Sequence, residues 1–248
     1  MVSANHQCSR KPRRKPEKLS TEMTKPADVD FSALSFDQFV LFFFDHPENA
    51  PFWYAEYAQA TTTVSDPVVL VDHLTTLFSG FASAVQRYSP AQISHGVWAL
   101  LGAEFSLMES LWDSSVPMEK RVTCIGGMRN VFADFVATHD EDILQKPFYM
   151  WWDIIVTGFW AHQGQFEAPD LLQLDPDSTA LLEAMFETLK QILAVPDPRT
   201  QGYALHGLGH LQHPGVREVV QRYLDENTNR FTEEHTRWIE QCRNGVVS

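Results

Sequence analysis

DPRTQGYALHGLGHLQHPGVREVVQRYLDE, residues 197–226, is the stretch whose reading decides the fold. Asp197 is placed to cap a first helix, with Pro198 at its opening position. Tyr203, Ala204, Leu205, Leu208 and Leu211 then recur at helical spacing on one face. Pro214 and Gly215 force a turn. Val216, Val219, Val220, Tyr223 and Leu224 line the inner face of a second helix. A hairpin this short cannot bury its apolar face alone, so it requires stacked neighbours.

The same punctuation recurs upstream. Ser35 with Gln38 forms a capping box before the Phe-rich segment ending near Asp45. The spacing predicts helices over 67–88 (opened by Asp66-Pro67), over 90–113 (Ser89-Pro90 with Gln92), and from Pro117 through Phe135. Further helices are expected from Pro147 to about His162, from Asp175-Pro176 through Ile192, and near Phe231–Cys242. Residues 46–65, with two prolines and a threonine run, read as an irregular connection. Proline opens helices here because its missing N–H costs nothing in a first turn and its ring stops the preceding helix. No segment alternates as a strand. The expectation is an all-α fold of about eight or nine helices, either an α-solenoid or a compact bundle of helical hairpins. The pairs expected are 67–88 with 90–113, 117–138 with 147–162, and 198–212 with 214–226.

Charge divides the chain unevenly. Net charge is −13 overall, yet residues 1–27 hold seven Lys/Arg against two Asp/Glu. Residues 1–30, including RKPRRKPEK at 10–18, read as a disordered basic tail and as a candidate non-native start, with Met23 the alternative first residue. Residues 31–245 read as a single helical-repeat domain. An acidic body repels polyanions, which argues against nucleic acid as a partner. Cys8, Cys124 and Cys242 are distant from one another and odd in number, which argues for a reduced, cytoplasmic setting. The longest apolar run, Phe39–Phe44, is far short of the roughly 20 residues a bilayer requires, so no membrane association is expected.

Two segments carry candidate chemistry. PFYMWWDIIVTGFW, residues 147–160, is apolar nearly all round, with Asp153 in its middle. A carboxylate so placed needs a donor: a Trp or Tyr group, a histidine, or Arg121 or Arg129. It reads either as a core hydrogen-bond acceptor or as a metal ligand. His206 and His210 stand four apart on one helix, so their rings share a face at a usable metal spacing. Asp153, Glu104 or Glu109 would complete the set. His213 precedes Pro214 and is expected to point elsewhere. Gly207 and Gly209 interleave the histidines and imply close approach by something bulky, with the Trp-rich helix the first candidate. Trp151, Trp152 and Trp160 are a further candidate lining for a small-molecule pocket.

The 197–226 hairpin resembles HEAT-like repeats. Together, FVLFFFDHP at 39–47, YMWWDI at 149–154 and ALHGLGHLQHPGV at 204–216 resemble a family of bacterial helical proteins to which no activity is attached. HEAT-like folds include deoxyhypusine hydroxylases, which ligate iron through His-Glu dipeptides; this chain has none, so the resemblance carries no activity over. It implies a non-enzymatic protein that binds another protein, one with a basic surface suiting its acidic body, without a cofactor. The alternative is a metal-dependent enzyme with divalent metal at His206, His210 and Asp153.

Overall fold

A computed structural model describes residues 28–59, 61–165 and 171–247. The chain is all-α, as expected. The helices are α1 (Phe36–Phe44), α2 (Pro67–Ser79), α3 (Phe81–Val85), α4 (Pro90–Leu101), α5 (Met118–Asn130), α6 (Asp142–Tyr149), α7 (Trp151–His162), α8 (Pro176–Leu193), α9 (Pro198–Leu211), α10 (Val216–Glu226) and α11 (Glu233–Asn244). The only strands among the described residues are β1 (Val29–Asp30) and β2 (Thr62–Thr63), paired in parallel. Most of the expected basic tail lies outside the described residues; its last residues, 29–30, form β1.

Helix starts follow the caps legible in the sequence. The Ser35/Gln38 and Ser89/Gln92 boxes are both formed. Asp66, Asp175 and Asp197 each accept from a first-turn amide ahead of a proline. Each such cap is worth about 1 kcal/mol.

Helix interiors depart from expectation in three places. The 67–88 helix breaks at Gly80 into α2 and α3. The 90–113 helix stops at Leu101, and a 3-10 turn, Leu107–Leu111, follows. The third departure is at Pro147, which lies inside α6 rather than opening the next helix. Proline cannot donate to the carbonyl four residues back, which here is Ile143. The Ser94 hydroxyl donates to that carbonyl instead, at 2.8 Å. A distant side chain thus replaces the lost bond, and the break falls at Met150.

Several of the principal neighbours in space are not neighbours in sequence. α2 packs chiefly on α5, α5 on α8, and α8 on α9. α9 also takes α7 and α11, whereas α10 lies mainly against α11 and only marginally against α9. The expected 198–212/214–226 pair therefore forms as two helices but is not the main packing unit. The reason is the girth of α9, where Tyr203, Ala204, Leu205, His206, Gly207, Leu208, Gly209 and Leu211 are all buried. A helix buried on nearly every side is a central one.

The glycines of α9 permit this crowding. A Cβ on Gly207 would stand 2.6 Å from Trp152 Cβ and 2.9 Å from Leu189 Cδ2. Close approach by the Trp-rich helix is thus found at Gly207. At Gly209 the neighbours are instead Val247 and Cys242.

Candidate functional site

Two places gather polar chemistry. The first lies between α7 and α9. α7 buries Trp151, Trp152, Ile155, Val156, Phe159 and Trp160, leaving Asp153 and Thr157, one turn apart, on its wetter side. Asp153 is therefore not the core carboxylate its apolar setting implied; its side chain is 24% exposed. Neither an indole nor an arginine serves it. The Nε1 atoms of Trp151, Trp152 and Trp160 are buried without a partner, and Arg121 pairs with Asp177. Asp153 Oδ1 accepts from Thr157 Oγ1 at 3.3 Å and lies 3.7 Å from His210 Nε2.

His206 and His210 project from successive turns of α9, and their Nε2 atoms are 3.1 Å apart. The His206 ring stacks on Tyr149 at 4.1 Å, and its Nδ1 faces the Tyr149 carbonyl at 3.4 Å. Burial pushes the His206 pKa below its ordinary value, aided by repulsion from His210. His206 is thus held neutral near pH 7. The expected trio does meet, but it is not a preformed three-donor set. Among the described residues no group of three or more His, Cys, Asp or Glu side chains is arranged to hold a metal ion. Glu109 lies in a different site, described next, and Glu104 lies beside Gly102. His213 points elsewhere, stacking on Phe186 at 4.0 Å and pairing with Glu183 at 3.0 Å.

The second place is a cleft of about 840 Å³. Its walls come from β2, the segment 105–114, α5, the end of α7 and the start of α8. Glu109, Asp113, Asp175 and Asp177 line it, opposed by Arg121 and His162. Arg121 is only 2% exposed, and its Nη2 donates to Asp177 Oδ2 at 2.8 Å. Its Nε has no partner. The Ser115 hydroxyl and amide hold Asp113 below the usual carboxylate range, and the Ser178 amide and hydroxyl do the same for Asp175. Asp175 caps α8 and Asp113 closes a local turn onto Ser115, so part of this acidity serves local structure. Glu109 is exposed and serves no cap.

The cleft rim also contains backbone strain. Ser106 adopts φ 51° and ψ 29°, left-handed geometry that costs a non-glycine residue roughly 1 kcal/mol or more. Such outliers concentrate where a site constrains the chain.

No protein family, curated protein or solved structure matches this chain.

The cleft was invisible to sequence reading because its walls come from five separate parts of the chain. The Trp-lined pocket is overturned: Trp151, Trp152 and Trp160 are 0%, 0% and 5% exposed, and they are core. Cys124 and Cys242 are free and buried, and burial pushes both thiols up to about 12, so neither is a ready nucleophile. Cys8 lies outside the described residues. No helix among the described residues is long and apolar enough to cross a membrane.

Proposed function

We propose that this chain is a non-catalytic helical-repeat protein whose acidic cleft receives a basic segment of a partner protein. The observation that carries the reading is the composition of the cleft: four carboxylates line a cavity of about 840 Å³ against one guanidinium and one imidazole. Arg121 is already paired with Asp177, so the remaining lining is negative at neutral pH. Asp113 and Asp175 stay ionised, because their hydrogen bonds hold them below the ordinary range. Concave walls of one sign focus the field and raise the encounter rate for a ligand of opposite charge. The volume lies within the range of about 300–1,000 Å³ typical of ligand sites, enough for one or two long basic side chains. The placement in a reduced, cytoplasmic compartment belongs to the same proposal and rests on the free, buried cysteines.

The test is fluorescence anisotropy with a labelled Lys/Arg-rich peptide and the full chain, repeated across a salt series. Saturable binding that weakens as salt rises is expected. Glu109→Lys leaves the capping residues intact and should weaken binding several-fold, since each exposed charge contact contributes up to about 1 kcal/mol. Binding indifferent both to salt and to Glu109→Lys would refute the proposal.

A further inference from the structure

We propose that His206 and His210 form a two-nitrogen binding site for a divalent transition metal ion, with Asp153 as its neighbouring carboxylate. The geometry is specific. Two Nε2 atoms approach to 3.1 Å from adjacent turns of one helix. Two nitrogens held on one ion at about 2.0–2.1 Å each are separated by a similar distance. The His206 ring is fixed on both sides of this contact. Tyr149 stacks against it at 4.1 Å, and the Tyr149 carbonyl faces Nδ1 at 3.4 Å. With its proton on Nδ1 and directed to that carbonyl, His206 presents a bare Nε2 lone pair to His210. A backbone carbonyl on the second ring nitrogen is the usual means by which proteins orient a metal-binding imidazole.

A single proton between the rings would satisfy the histidine pair and leave Asp153 served only by Thr157, at 3.3 Å. A divalent cation would bind both nitrogens and offset the charge of the nearby carboxylate, whose Oδ1 stands 3.7 Å from His210 Nε2. The site opens outward, since the His210 and Asp153 side chains are 23% and 24% exposed whereas His206 is 2% exposed. Metal and water therefore have an approach from the His210 side. Because no third protein donor is preassembled, the ion would keep positions for water or an exogenous ligand. Imidazole with carboxylate suits zinc, nickel or copper better than calcium or magnesium, which take oxygen ligands.

The test is calorimetric titration of the chelator-stripped full chain with Zn²⁺ alone. One equivalent should bind. His210→Ala, at a partly exposed position, should weaken binding about ten-fold or more, and Asp153→Asn should weaken it to a lesser degree. Circular dichroism melts establish that both variants fold. His213→Ala removes the other histidine–carboxylate pair and should leave binding unchanged. Absence of saturable uptake in the folded wild type would overturn the proposal. So would uptake that survives His210→Ala, or uptake lost in His213→Ala instead. The readout is independent of the acidic cleft, so loss of peptide binding there leaves this proposal standing.

Discussion

Substituting the same residue type twice on α9 should move stability in opposite directions. Gly202 and Gly207 are both interior to α9, five residues apart, and alanine is favoured over glycine in a helix by about 1 kcal/mol. A Cβ at Gly202 meets nothing within 4 Å, so Gly202→Ala should keep most of that gain, about 0.5–1 kcal/mol. A Cβ at Gly207 stands 2.6 Å from Trp152 Cβ, which is bonded directly to the α7 backbone and cannot swing away. Leu189 Cδ2, at 2.9 Å, can rotate aside. Relieving the Trp152 contact therefore requires α7 to move off α9. Overpacking of this kind costs about 1–3 kcal/mol, which cancels or outweighs the propensity gain. Gly207→Ala should be destabilised by up to about 2 kcal/mol, and the two variants should differ by about 1–3 kcal/mol. For a chain of this size each kcal/mol moves Tm by roughly 2–4 °C. Urea unfolding followed by tryptophan fluorescence and by circular dichroism measures both. Equal stabilisation of the two variants would refute the packing of α9 against α7.

Other outcomes follow from single contacts. Ser94→Ala removes the donor to the Ile143 carbonyl and should cost about 1–2 kcal/mol; in a Pro147→Ala background, whose new amide can serve that carbonyl, the cost should shrink, and a double-mutant cycle reads the coupling. Burial lowers the pKa of both His46 and His95 from the ordinary 6.5. The unfolded chain therefore takes up these protons first as pH falls. The stability they lend is full above about pH 6.5 and is lost as pH drops through that value toward their folded pKa values, so the urea midpoint should fall between pH 7 and 5. His95→Gln, which cannot charge, should flatten that slope; an unchanged slope would remove His95 from the account. Asp197→Ala should cost about 1 kcal/mol by uncapping α9, visible as a lowered Tm.

The helix starts were legible because their determinants are local. A serine or aspartate, a proline and a glutamine within four residues close the cap unaided, as at Ser89–Gln92. The Pro147 boundary was not legible. Its missing hydrogen bond is replaced by Ser94, 49 residues away, and no local rule supplies that partner. Asp153 was misread for a different reason. An almost wholly apolar sequence concealed the narrow strip, Asp153 and Thr157, that α7 turns outward, although their spacing of four already placed them together. His206, His210 and Asp153 do come together, because the histidine spacing is local and the Trp-rich helix was the expected neighbour of the α9 glycines. The cleft needed tertiary structure, since Glu109, Arg121, His162 and Asp177 meet only when four elements converge. Its one sequence-level trace was the acidic excess of the body, which indicated a sign of charge but no location.

Hydrogen–deuterium exchange on the full chain, with and without a saturating Lys/Arg-rich peptide, tests the cleft as the recognition surface most directly. The account predicts slowed exchange confined to residues 105–114 and to the first turn of α8, where the acidic walls lie. Protection that instead falls on α10 and α11, with these walls unaffected, would contradict it.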